Sequence, residues 1–226
     1  VKEAGLPIAV LTGTCASPST KKLINSLGET YGTINHVVYD AVSESAALDA
    51  FEAMYGTRAL PDYNLEKAAV IVSIGADFLG DWQGGGFDAG YSKSRVPANG
   101  KMSRHIQFES NMTLTGANAD KRFILKPSEQ NLALIKLYQA VVKGIATREA
   151  TPLNDAVQKA AAQIKTAGSK AVVVTGIQDK NAQLLALAIN KAINSEVIDV
   201  LATKNVRKGN DLAVTQLIAD MNAGKI

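Results

Sequence analysis

Three short runs in this chain are apolar almost without interruption and end in glycine. They are Ile8-Ala9-Val10-Leu11-Thr12-Gly13, Val70-Ile71-Val72-Ser73-Ile74-Gly75 and Ala171-Val172-Val173-Val174-Thr175-Gly176. A strand with two apolar faces needs cover on both, and parallel sheets flanked by helices provide it. A terminal glycine lets the backbone turn sharply into the next element. The segments that follow change period. Leu23, Ile24 and Leu27 share a helical face after the first run, and Leu134, Leu137, Tyr138, Val141 and Ile145 do so in a long segment opened by Pro127. Strands alternating with helical segments predict an α/β fold: a mostly parallel, Rossmann-like sheet with helices on both faces.

In chain order, the pattern predicts a strand over 7–13, a helix to Tyr31 and a strand over 34–40. A second helix follows Ser43, with Ala46, Ala47, Ala50, Phe51 and Met54 inward and Gly56 at its end. Residues 58–67 read as a polar connection. The central stretch, 68–126, holds the sole Trp, the glycine run Gly84-Gly85-Gly86, long polar loops and strands near 105–108 and 122–126. Beyond it come helices over 152–167, 179–193 and 211–221, a strand over 171–176 and a weaker strand over 197–201. A soft division near 147–151 gives two expected units: 1–148, which contains the loop-rich stretch, and a smaller α/β unit over 149–226. The chain does not begin with Met and ends just after a helix, so it reads as a segment of a longer protein.

With 24 basic and 21 acidic residues the net charge is only +3, both signs are interspersed, and aromatics are 5%. No clustered basic face or stacking platform points to nucleic acid. No stretch approaches the roughly 18 apolar residues of a transmembrane helix. One cysteine and two histidines permit no disulfide and no Cys-based zinc or iron–sulfur centre within the chain.

Ligands of parallel sheets bind at the carboxyl ends of strands, where Gly13, Gly75 and Gly176 fall. Yet no Gly-x-Gly-x-x-Gly follows the first strand, and no Walker A sequence occurs. Gln83-Gly84-Gly85-Gly86 does not follow a strand directly and reads as a close-packed loop. Asp77, Asp81, Asp88 and Glu109 are carboxylates of the central stretch, but their spacing matches no calcium loop. Cys15 lies past a strand end, distant in sequence from both histidines, and reads as a packed thiol. Trp82 reads as a buried anchor or a stacking surface for a ligand ring. Ser103-Arg104-His105 is a strand start whose cations serve an anion or a structural pair. No catalytic and no metal-ligating residues are assigned.

The run Ala69-Val70-Ile71-Val72-Ser73-Ile74-Gly75-Ala76-Asp77-Phe78 resembles the strand and turn of molybdopterin oxidoreductases of the dimethyl sulfoxide reductase family. Ala119-Asp120, the strand from Arg122 and Pro127-Ser128-Glu129-Gln130 resemble that family's Ala-Asp, strand, Arg-Pro-Gly-Thr-Asp element. Met221-Asn222-Ala223-Gly224-Lys225 is similar to a helix end in related proteins. Gly80-Asp81-Trp82, the run from Ser103 to Glu109 and Leu114-Thr115-Gly116-Ala117-Asn118-Ala119-Asp120 resemble the iron–sulfur, molybdopterin-like subunit of alternative complex III, a quinol:electron-acceptor oxidoreductase.

The resemblance implies a non-catalytic structural and interaction domain of molybdopterin-oxidoreductase type in a membrane-associated respiratory complex. It implies partner subunits, a periplasmic face, iron–sulfur clusters elsewhere in the parent chain and no cofactor in this segment. Asp77-Phe78 stands where that family has Asn-Pro, and a carboxylate there repels a pyrophosphate. The alternative is an active molybdopterin-guanine-dinucleotide domain with Gly75, Asp77 and Glu109 lining the site. A third reading is an unrelated nucleotide-binding module.

Overall fold

Strand β4 (Val70–Ile74) is the centre of the molecule, buried at all five positions. In the computed structural model, which describes residues 7–97, 100–146 and 149–226, it is paired on both sides. Parallel β5 (Arg104–Glu109) and β7 (Ala171–Thr175) flank it, and β6 (Lys121–Ile124) pairs with β5, giving a four-stranded sheet in the order β6-β5-β4-β7. Strands on both sides of residue 148 therefore share this sheet; Thr147 and Arg148, where the expected division falls, lie outside the described residues.

One face of the sheet (Val70, Val72, Ile74, Ile106, Phe108, Val173) packs on helices α5 (Pro127–Val142), α6 (Pro152–Ala167) and α7 (Lys180–Ala192). The other face (Ile71, Val172, Val174) packs on Leu65, Phe78, Trp82, Phe87 and Tyr91. These aromatics come from the segment after β4 and from helix α3 (Asp88–Arg95). That segment was expected as a polar loop. Its helix is short and buries one side chain, Tyr91, so no apolar periodicity marks it.

Strand β7 is a sheet edge, and side chains claim its outward carbonyls and the Val173 N–H. Asn190 of α7 accepts from the Val173 N–H and donates to the Val173 carbonyl, both at 2.8 Å, as a neighbouring strand would. Ser195 donates to the Ala171 carbonyl, and Trp82 Nε1 and Gln183 Nε2 donate to that of Thr175. An edge closed this way offers no template for another strand. Trp82 is thus a buried anchor with its N–H satisfied.

The rest of the chain builds two small ribbons. β1 (Ile8–Thr12) and β2 (Ile34–Val38) pair in parallel, with α1 (Pro18–Tyr31) between them. Ser17 caps α1, Pro18 occupies its first position and Gly32 ends it. Helix α2 (Ser45–Tyr55) buries Ala47, Leu48, Ala50 and Phe51 and packs against α7. β3 (Leu60–Tyr63) then pairs antiparallel with β8 (Ile198–Lys204). The expectation of a polar connection over 58–67 fails here: Leu60 and Tyr63 are buried, and the partner strand lies far along the chain. Helix α8 (Asp211–Asn222) closes against β2.

The three strand-end glycines are not equivalent. A Cβ on Gly176 would lie 2.7 Å from the Gly75 carbonyl carbon and 3.0 Å from Ala76 Cα. On Gly13 its nearest neighbour would be 3.8 Å away. Gly176→Ala is therefore expected to cost about 2–3 kcal/mol through overpacking, and Gly13→Ala within about 0.5 kcal/mol of nothing. Urea denaturation of the two variants checks the contrast; equal effects would contradict it.

Candidate functional site

Strand β5 carries a buried polar strip. His105, Gln107 and Glu109 share one face and are 0%, 0% and 1% exposed, while Ile106 and Phe108 face the apolar core. Burying such groups costs several kcal/mol unless each finds a partner. Every one does. Tyr91 Oη lies 3.1 Å from His105 Nδ1, and His105 Nε2 lies 3.2 Å from Gln107 Oε1. Gln107 Nε2 donates to the Ala76 carbonyl (3.3 Å) and to Glu109 (3.2 Å). Glu109 also accepts from the Thr113 hydroxyl at 2.7 Å and from Arg122 Nε. At the other end Asp120 accepts from the His105 N–H and holds Arg95 through two bonds of 2.7 and 2.8 Å.

The donors set the histidine's tautomer. Gln107 Nε2 faces two acceptors, so its Oε1 faces His105 and Nε2 of the ring carries the proton. Nδ1 is left to accept from Tyr91, whose one proton is also sought by the Asn118 carbonyl at 3.0 Å. Burial pushes the His105 pKa down to about 4, against the raising effect of Gln107. Burial raises the Glu109 carboxyl, but its bonds to Arg122, Thr113 and Gln107 outweigh this and hold it below the usual range. The same opposition, with Arg95 and the His105 N–H prevailing, lowers Asp120.

Gly75, Asp77 and Glu109 all lie at the carboxyl ends of β4 and β5, around the one-turn helix α4 (Leu114–Ala117). Each is engaged internally. Gly75 has φ +69°, and a Cβ there would lie 2.7 Å from Gln130 Oε1. Asp77 accepts from the Thr115 N–H (2.9 Å) and hydroxyl (2.7 Å). Gly116 lies so close to the Glu109 carboxylate that no side chain fits between them. Asp81 instead pairs with Arg207 at 2.7 Å and Asp88 opens α3. Among the described residues no three metal-ligating side chains gather. Arg104 is exposed, while Ser103 bonds Ser94 at 3.0 Å. Cys15 lies apart, half-buried beside the β1–β2 pair.

The sheet order places its topological switch point between β4 and β7, the usual ligand crevice of such a fold. Here the chain's own Trp82 and Gln83 are buried beside these strand ends. Glu44, 4% exposed, accepts from the Gln83 N–H at 3.0 Å and from Gln178 at 3.5 Å. Burial raises its pKa, and these bonds offset the rise only in part.

Sequence reasoning missed the strip and Glu44. The strip's signal is polar residues at 105, 107 and 109 in a strand whose intervening positions are apolar. Glu44 has no local signal, because its partners lie 39 and 134 residues away.

No family model matches this chain, and no curated protein matches it. Among solved structures, its fold is similar to a chain of the formyltransferase/hydrolase complex FhcABCD from Methylorubrum extorquens, determined with methylofuran. The TM-score is 0.59 at 19% identity, covering 84% of this chain and 51% of that one, so this chain spans about half the neighbour's length. The likeness supports a Rossmann-like α/β fold.

This finding overturns the resemblance to molybdopterin oxidoreductases and to alternative complex III. The respiratory electron-transfer role falls with it, as does the alternative of an active molybdenum domain. The periplasmic, membrane-complex placement loses its support; among the described residues, no helix is long and apolar enough to cross a membrane. The quoted motifs have local explanations. Gly75 makes a positive-φ turn, Asp120 bonds the β5 backbone and Arg95, Pro127 is the first residue of α5, and Gly224, at φ +65°, follows the end of α8. Unrelated doubly wound sheets need the same turns and caps.

The strip makes a pH prediction. His105 is held neutral in the folded state down to about pH 4 but gains a proton near 6.5 when unfolded. Its contribution is complete above pH 6.5 and is lost as pH falls toward 4. From pH 7 to 4.5 this loss is roughly 2 kcal/mol. Glu44 works in the opposite sense, its raised pKa favouring the fold as pH falls, but equally in wild type and variant. Urea denaturation at the two pH values should show a clearly smaller loss for His105→Gln than for wild type. Equal losses would remove His105 as the cause.

Proposed function

We propose that this chain is an α/β domain of a multi-subunit formyl-transfer assembly, where it braces partner subunits rather than carrying the bond-making step. The observation that carries this reading is the fold likeness over 84% of the chain to a component of a formyltransferase/hydrolase complex. The interior agrees with a bracing role. Trp82 and Gln83 are buried beside the switch point, Gln130 covers Gly75, and Asp77 and Glu109 spend their oxygens on the chain's own donors. We assign no resident cofactor to this crest, so extraction of the purified protein is expected to release neither pterin nor nucleotide.

The test is isolation of the parent protein at native level, followed by mass spectrometry of co-eluting chains and an assay for formyl transfer and hydrolysis. The expected result is a fixed-stoichiometry assembly with that activity. A protein that elutes alone and leaves the activity in other fractions refutes the proposal.

A further inference from the structure

A second cavity, of about 300 Å³, lies away from the main sheet beside the β1–β2 pair. Three cations line it, Lys21, Arg58 and Lys208, together with His36, Cys15 and Asn205; its apolar lining is Ile24 and Val38. Among the described residues no carboxylate lines it. Two acids of the surrounding loops and helices, Asp40 and Asp49, already hold partners within the chain. Asp40 accepts from the Thr14 N–H (2.7 Å), the Thr14 hydroxyl (2.5 Å) and the Gly209 N–H (3.0 Å). Asp49 pairs with Arg58 Nε at 2.8 Å. Among the described residues neither the Lys21 nor the Lys208 ammonium has an acidic partner.

The walls are fixed in place. Arg58 donates to the Gly209 carbonyl at 2.8 Å and to Ser45 Oγ at 3.1 Å. The Lys208 N–H donates to Thr14 Oγ1 at 2.7 Å. A Cβ on Gly209 would lie 3.1 Å from Asp40 Oδ2, so the loop is packed tightly against that carboxylate. Thr14, Asp40, Arg58 and Gly209 thus tie the loop after β1, the end of β2, the approach to β3 and the loop before α8 into one knot. Holding like charges around one cavity is unfavourable until an anion enters.

We propose that this cavity binds a phosphate group, free or as the monoester of a small metabolite, with Lys21 and Lys208 as its principal cations and Arg58 as a third. The inference does not depend on the formyl-transfer reading. The site lies beside the carboxyl ends of the parallel β1–β2 pair, the end of a parallel sheet at which ligands bind. Its volume is at the small end of ligand pockets, enough for a phosphate with a modest organic part.

The chain carries its own probe, since Cys15 is its one cysteine and lines the cavity. The rate of Cys15 alkylation by neutral iodoacetamide is measured with inorganic phosphate, glycerol phosphate or a nucleoside monophosphate, against sodium chloride at matched ionic strength. At saturation about fivefold slower labelling is expected. Protection at lower concentration by an ester identifies the ester as the ligand; protection by phosphate alone identifies the free ion. The Lys21→Gln/Lys208→Gln double variant, its fold checked by circular dichroism, is expected to bind at least about tenfold more weakly, the scale of a lost charge-assisted hydrogen bond. Calorimetric titration with phosphate gives a second readout should the thiol prove unreactive. No binding by either measurement, or binding unchanged in the double variant, overturns the proposal.

Discussion

Gly176 passes over the carbonyl of Gly75 so closely that no side chain could stand between them. This contact joins the two strands on either side of the switch point, and much of the molecule is arranged around it. Because the turn after β7 lies against the turn after β4, the segment that leaves β4 can deliver Trp82 to the Thr175 carbonyl. Gln183 reaches the same carbonyl from α7, and Asn190, seven residues on, takes the edge at Val173. One close backbone approach thus sets both the closure of the crevice and the closure of the sheet edge.

The polar strip on β5 follows from the same economy of space. Helices α5, α6 and α7 cover one face of the sheet, but the other is covered by a loop, a short helix and a ribbon. Such elements bring unpaired backbone carbonyls and polar side chains against the sheet, and an apolar β5 would leave them unmatched. Gln107 answers the Ala76 carbonyl, Tyr91 joins His105 to the Asn118 carbonyl, and Glu109 with Arg122 ties the turn at Thr113 to β6. A connected network of this kind specifies one arrangement of the loops above it.

What sequence periodicity revealed was what local physics controls. Strands β1, β4 and β7 were legible because both faces are apolar, and helices α1, α6 and α7 because caps and stops bracket their periods. Of the β3–β8 ribbon the weak strand over 197–201 was legible but β3 was not, since Leu60 packs on Ala47 and Leu48 and Tyr63 on Trp82 and Phe87, partners its own stretch does not show. The candidate residues Gly75, Asp77 and Glu109 do meet at one crest. Their partners Gln130, Thr115 and Arg122 could not be read, because a spacing along the chain does not say which side chain turns back onto it. The family resemblance failed for a related reason: its motifs are the punctuation of strand–turn–helix units, which report architecture before ancestry.

The strand-end crevice of the main sheet and the cavity beside β1 and β2 differ in a way that bears on where a ligand can act. At the main sheet, negative side chains are matched by donors built into the chain, and the space is filled by aromatic and amide groups. Beside β1 and β2 the balance is reversed: Asp40 and Asp49 are matched, while Lys21 and Lys208 are not. A fold that spends its carboxylates on internal bonds accumulates unmatched positive charge where Lys21 of α1 meets Lys208 in the loop before α8. The excess at that cavity is therefore a local product of the Asp40 and Arg58 knot, despite a net charge of only +3 over the whole chain. Charge left over in this way is the feature that separates a crevice with something to bind from one the chain has already filled.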